Sequence, residues 1–436
     1  MEYFEIVGGK KLKGSVTISG AKNASVAIIP ASIISSNVCV IENLPKIDDV
    51  KNYIKVLTKM GAKCEFINHS TVRIDSSSIS EHAFSFDLLK DMRASYYLIG
   101  ALLARFKKAH IPLPGGCNFG SRPIDQHIKG FEALGAKVVV EHGMVKVSAE
   151  NLKGTSIYLD IASVGATINI MLAATMAEGV TTIENAAKEP HIVDCANFLN
   201  MCGATVKGAG TDIIKITGAT QMNGCQYTII PDQIEAGTYM MAAAITGGNI
   251  EVKNVIPKHM DSLSAKLSEM GCIVEENGDS IRVIADGQTL NSADIKTMYY
   301  PGFPTDLQPQ ITALLSTVNG TSYVTESVFD NRFQYVDQLA RLGVKIKIEG
   351  RMAVVEGPAR LTGASVSATD LRAGASLVLV ALAADGLTKI SNIKYIDRGY
   401  EDFEKKLKSL GANIKRVGGK PTEPTLIKSH DKKAYA

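Results

Sequence analysis

The chain has 436 residues, of which 45% are hydrophobic and 21% charged, enough to bury a sizeable core in two or more domains. Its 47 Lys and Arg against 44 Asp and Glu leave a net charge of +3, which gives no basis for binding nucleic acid or an anionic membrane through bulk charge. The longest strongly apolar runs, such as ASLVLVALAA at 375–384, reach about half of the ~20 residues a membrane span needs, and MEYFEIVGG at the start carries no secretory pattern, so the expected compartment is the cytoplasm.

Along the chain, one pattern recurs six times: a helix ending apolar-x-x-apolar-Gly, then a short alternating strand. The copies are LTKMGAKCEF from 57, FEALGAKVVV from 131, LNMCGATVKG from 199, LSEMGCIVEE from 267, LARLGVKIKI from 339 and LKSLGANIKR from 407. Their glycines, Gly61, Gly135, Gly203, Gly271, Gly343 and Gly411, are spaced 74, 68, 68, 72 and 68 residues apart. Each is expected to end its helix in a left-handed cap. A second helix in each unit is rich in small residues and followed by a β-rich run, as in RASYYLIGALLARF from Arg93, VGATINIMLAATMAEGVTTIEN from Val164, AGTYMMAAAITGGNIEVKNV from Ala236 and RAGASLVLVALAADGLTKISNI from Arg372. A helix apolar nearly all round is a buried one. Six units of this size suit two globular halves of three, with a break near 226–235, and residues 420–436 read as a loose tail.

Seven cysteines form no C-x-x-C pair, and no H-E-x-x-H or tight His/Cys group is present, so neither a disulfide framework nor a metal site is indicated. Trp is absent and aromatics make up 6%, which weakens any stacking platform for single strands.

Polar residues recur at two places in the unit. The first is the start of the buried helix: Lys22 and Asn23 in AKNAS, Arg93 in MRAS, the Ser163-Val164-Gly165 backbone, Asp306 in PTDLQPQ and Arg372 in LRAGAS. Helix starts offer free N–H groups and a positive dipole end, so several converging on one cleft make a phosphate site, and cations placed there need an external anion. The second place is the loop before the exposed helix: PKIDD, PGGCNFGSRPID, KEPHIVD, PKHMD, DNRF and DRGY. In the glycine-rich member Cys117 stands near Arg122, a setting that lowers a thiol pKa. On loop context alone a small buried thiol is an equal alternative.

The stretches SGAKNAS (19–25), PLPGGCNFGSRPID (112–125), PTDLQPQ (304–310), DNRF (330–333), ATDLRAGASLVLVALAADG (368–386) and IDRGYEDFEKKLKSLGA (396–412) together resemble the enolpyruvyl transferases. The likeness runs from about residue 1 to 419 and is closest to the branch acting on UDP-N-acetylglucosamine, because the shikimate branch lacks the cysteine loop. It implies an α/β fold of two inside-out α/β barrels, each of three units with buried helices and outward sheets. One half would span 22–229 and the other 1–21 plus 230–419, with the active site between them. The implied reaction moves the enolpyruvyl group of phosphoenolpyruvate to the 3′-hydroxyl of UDP-N-acetylglucosamine, the first committed step of peptidoglycan synthesis, in a monomer without metal or organic cofactor.

On this resemblance Cys117 is the acid and the site of covalent capture by fosfomycin, and Asp306 takes the hydroxyl proton. Lys22, which also counts among the catalytic groups, Arg122 and Arg398 hold the phosphate, and Arg372 the carboxylate, of phosphoenolpyruvate. Asn23, Arg93, the segment Arg122, Pro123, Ile124, Asp125 and Gln126, then Ser163, Val164 and Val328 contact the nucleotide sugar, with Arg332 as a supporting charge. Gln126 departs from the apolar residue usual at its position. Cations shared between the two halves are expected to repel and hold an empty cleft open.

Overall fold

The computed structural model of the chain describes residues 2–80, 96–113 and 124–418. Arg93, Cys117, Arg122, Pro123 and the 420–436 tail lie outside the described residues. Twelve α-helices are described, and they alternate between buried and half-exposed. The buried set is α1 (Lys22–Ala31), α3 (Tyr97–Phe106), α5 (Val164–Ala174), α7 (Gln233–Ile245), α9 (Gln308–Leu315) and α11 (Leu371–Ala383). Between them come α2 (Asp48–Lys59), α4 (Asp125–Ala133), α6 (Pro190–Met201), α8 (Asp261–Glu269), α10 (Val336–Arg341) and α12 (Phe403–Ser409).

Composition explains the alternation. Every residue of α5 from Ala166 to Ala174 is buried, and in α11 every residue from Arg372 to Leu382, since neither helix offers a polar face to water. Helix α2 instead buries Val50, Tyr53, Ile54, Val56 and Leu57 on one side only. The small residues of the inner helices allow close approach. A Cβ on Gly100 of α3 would stand 2.4 Å from the Asn169 carbonyl oxygen of α5, and the Gly100 N–H donates to Asn169 Oδ1 at 2.8 Å.

The strands form six sheets, five of four strands and one of three among the described residues. Each larger sheet combines one parallel pair with two antiparallel steps. Leu387–Ser391 runs parallel to Ser365–Ser367 and antiparallel to Tyr3–Val7, which runs antiparallel to Asn413–Val417. Strands such as Val180–Glu184 alternate buried and open positions, so one sheet face packs on helices and the other meets solvent. All six repeat glycines have positive φ, between 90° and 108°, as left-handed helix ends require.

Two strands pair with partners far away in sequence. Lys13–Thr17 pairs in parallel with Asn249–Lys253, while Gln226–Thr228 pairs in parallel with Val38–Glu42. The chain therefore crosses twice between two hydrophobic cores, one drawn from Ala21 to Ile229 and the other from Phe4 to Ile18 plus Ile234 to Ile414. No described helix is long and apolar enough to cross a membrane.

Candidate active site

A cavity of about 600 Å³ is lined by residues of both cores. Its wall follows the sequence repeat. The starts of the inner helices contribute Lys22 and Asn23, Tyr96 and Tyr97, Ser163 to Gly165, Gln233 and Ile234, Asp306, and Asp370 to Arg372. The segments leading into the outer helices, their first turns included, contribute Asp49, Glu189 and His191, His259, Arg332 and Arg398. Six helix starts thus face one space, and their N–H groups and dipoles favour anions there.

Side-chain caps hold several of these starts in place. Ser163 Oγ accepts from Ala166 N at 3.3 Å, and Asp370 Oδ1 accepts from Arg372 N at 2.8 Å and Ala373 N at 3.1 Å. Asp232 caps two helices: Oδ1 accepts from Ile234 N and Glu235 N of α7 at 2.7 and 2.9 Å, and Oδ2 accepts from Lys22 N of α1 at 2.9 Å. Buried Glu326 fixes the loop carrying Val328 by accepting from the N–H groups of Val328 and Phe329 at 2.8 and 3.1 Å.

Asp306 sits in the 3-10 turn Thr305–Leu307 at the head of α9. Arg372 donates to its Oδ2 from Nη2 at 3.0 Å and from Nε at 3.3 Å, and Arg332 Nη2 lies 3.5 Å from Oδ1. Burial by itself would raise this carboxyl's pKa, but Arg372, Arg332 and Lys22 outweigh it and hold Asp306 far below the usual range, ionised. Arg372, 3% exposed, is kept charged despite its burial by the same partner, and its Nη1 meets no acceptor among the described residues. The same cavity holds a second cluster. Asp49 of α2 accepts a two-pronged contact from Arg398, Nε at 2.8 Å and Nη2 at 3.1 Å, and Lys22 Nζ lies 3.4 Å away.

Lys22, Asn23, Ile124, Ser163, Val164, Asp306, Arg332, Arg372 and Arg398, singled out by their positions in the repeat, therefore meet in one cavity, and Val328, named on the resemblance alone, also lines it. Asp125 and Gln126 are not on its wall. Gln126 is turned to Asp160, donating to Oδ2 at 2.9 Å and accepting from the Asp160 N–H at 2.9 Å. Of the cations expected to repel across the cleft, Lys22 and Arg398 are bridged by Asp49, while Arg93 and Arg122 lie outside the described residues. Asp49, Asp232, Glu189 and His191 were missed as site residues, although Asp49, Glu189 and His191 lie in the motifs that recur where each outer helix begins. Burial drops the His191 pKa to about 4, so its ring is neutral near pH 7, and burial raises that of Glu189, whose Oε2 has no partner among the described residues.

An anion-binding cleft holding one ionised carboxylate between guanidinium groups suits the transfer of a group from a doubly anionic donor to an acceptor hydroxyl. The family model described as EPSP synthase (3-phosphoshikimate 1-carboxyvinyltransferase) matches residues 6–407. A protein of Caldanaerobacter subterraneus subsp. tengcongensis named UDP-N-acetylglucosamine 1-carboxyvinyltransferase 3 is 56% identical over 417 residues, 96% of this chain and 100% of its own length. One of Clostridium botulinum named UDP-N-acetylglucosamine 1-carboxyvinyltransferase is 56% identical over 418 residues, with 96% and 100% covered. Among solved structures, the enolpyruvyl transferase NikO from Streptomyces tendae aligns at a TM-score of 0.86 with 26% identity, covering 95% of this chain and 98% of its own. The EPSP synthase from Acinetobacter baumannii, at 20% identity and a TM-score of 0.74 over 96% and 100%, shares the fold. The chain, mixed α/β and matched along nearly its whole length, belongs to the EPSP synthase (3-phosphoshikimate 1-carboxyvinyltransferase) family of enolpyruvyl transferases.

Proposed function

We propose that the protein transfers the enolpyruvyl group of phosphoenolpyruvate to the 3′-hydroxyl of UDP-N-acetylglucosamine, releasing phosphate, as a cytoplasmic monomer that needs no metal or organic cofactor. The observation carrying this reading is Asp306, ionised between Arg372 and Arg332 at a helix head in a cavity lined by six helix starts. The relatives named for this acceptor, 56% identical over their full length, favour UDP-N-acetylglucosamine over a shikimate phosphate.

In the proposed addition, the acceptor oxygen bonds to C2 of phosphoenolpyruvate, Cys117 delivers a proton to C3 and Asp306 receives the hydroxyl proton. Loss of a C3 proton and departure of phosphate then restore the double bond. Arg372 holds the donor's carboxylate, for which a planar two-pronged guanidinium is suited. Lys22, Arg122 and Arg398 hold its phosphate, and Asn23, Arg93, Ile124, Ser163, Val164 and Val328 line the nucleotide-sugar end. A carboxylate drawing Arg372 to itself loosens that residue's hold on Asp306 and makes Asp306 a better base.

The same reading takes the architecture as two inside-out barrels, 22–229 and 1–21 plus 230–419. The two separate cores, with Lys13–Thr17 pairing inside the second and Gln226–Thr228 inside the first, support that division. Mass analysis after incubation with both substrates tests the activity. A nucleotide sugar carrying one enolpyruvyl group in place of a hydroxyl hydrogen is expected, and recovery of unchanged UDP-N-acetylglucosamine from folded protein would overturn the reading.

A further inference from the structure

Away from the cleft, three thiols converge. Cys39 lies buried on the strand Val38–Glu42, Cys202 is buried at the end of α6, and half-buried Cys225 directly precedes the strand Gln226–Thr228. Cys202 Sγ and Cys225 Sγ are 3.3 Å apart, and all three sulfurs lie within 4.8 Å of one another. The backbone holds this arrangement: Val40 N donates to the Cys225 carbonyl at 2.8 Å, Asn223 N to the Cys202 carbonyl at 2.7 Å, and Cys202 N to the Phe198 carbonyl at 3.0 Å.

We propose that Cys39, Cys202 and Cys225 form a binding site for a thiophilic metal ion of the zinc type. Sulfurs about 2.3 Å from one such ion stand about 3.8 to 4.0 Å from each other, so shifts of under about 1 Å turn the observed triangle into a ligand set. A disulfide accounts for two of these sulfurs and leaves the third without a role, whereas one ion uses all three. The partial exposure of Cys225 leaves a route for water as a fourth ligand. On binding, three S–metal bonds replace three S–H bonds, the protons pass to solvent and the ion sheds water, with no change of oxidation state. The ion would join the end of α6 to two neighbouring parallel strands, in the last segment before the chain crosses to the second core.

Cd2+ is the probe, because its thiolate complexes absorb in the ultraviolet through ligand-to-metal charge transfer. The titration uses fully reduced protein carrying Cys117→Ser, so that the loop thiol makes no contribution. The expected result is a band that saturates at one Cd2+ per chain, with a rise in Tm. Cys39→Ser, Cys202→Ser or Cys225→Ser should each weaken binding by more than about 100-fold, beyond what loss of a supporting contact costs. Cys64→Ser and Cys272→Ser should leave the band unchanged. Absence of a stoichiometric band in the reduced protein, or its survival when any of the three thiols is removed, overturns the proposal. So does a Cys202–Cys225 disulfide forming in air at the same rate with and without saturating Cd2+, which would make the cluster a redox pair.

Discussion

A buried carboxylate is costly unless its charge is met, and Asp306 is met by Arg372, Arg332 and Lys22 together. Asp306→Asn keeps the size and one acceptor oxygen but cannot receive a proton. It should lose at least about 10²-fold in kcat with KM little changed, and steady-state kinetics near the wild-type rate would remove Asp306 from the base role. Asp194 shows the opposite balance. It is 2% exposed, accepts from Tyr227 Oη at 2.6 Å and Ile230 N at 3.3 Å, and burial pushes its carboxyl from 3.8 up to about 6. Because the folded value lies above the unfolded one, its contribution is fully present below pH 3.8 and is lost as pH rises through about 6. Asp194→Asn should therefore flatten the stability profile across that window, read from urea unfolding at several pH values. A variant destabilised equally at every pH would contradict this. The cations at helix starts were legible as a site because the dipole opposes them. Asp49 was not, since an acidic pair opening a helix, as in PKIDD, already has a sufficient reason in that dipole.

Helices and their ends were the part of the architecture most open to reading. The repeat glycines set the boundaries of the outer helices, and the absence of a polar face in α5 and α11 marked them as buried. The long-range parallel pairings were not legible from periodicity. Gln226–Thr228 has only three residues, and its partner lies more than 180 positions earlier in the chain, so no local pattern records the pairing. Where that strand leads into α7, Asp232 caps both α7 and α1. Asp232→Ala should cost roughly 2 kcal/mol, more than an ordinary single cap, and Asp232→Asn should recover part of it. Thermal unfolding would show this as a lowered Tm in the Ala variant, and an unchanged Tm would mean that the two helix starts hold without the cap.

At the scale of the whole molecule, the two cores meet around one cavity, and Asp49 of the first contacts Arg398 of the second. The cavity is lined by residues of both, Lys22 and His191 from one and Asp306, Arg332 and Arg372 from the other. The repeat made this convergence readable, because equivalent positions in six units end at equivalent places. The pairing of charges across the cavity was not readable, because it depends on how the halves face each other. The central claim is the choice of acceptor, and it is tested most directly by continuous phosphate release from phosphoenolpyruvate with each acceptor in turn. Rapid, stoichiometric release with UDP-N-acetylglucosamine and none above background with shikimate 3-phosphate is the predicted result. Release with shikimate 3-phosphate, and none with UDP-N-acetylglucosamine, would contradict it.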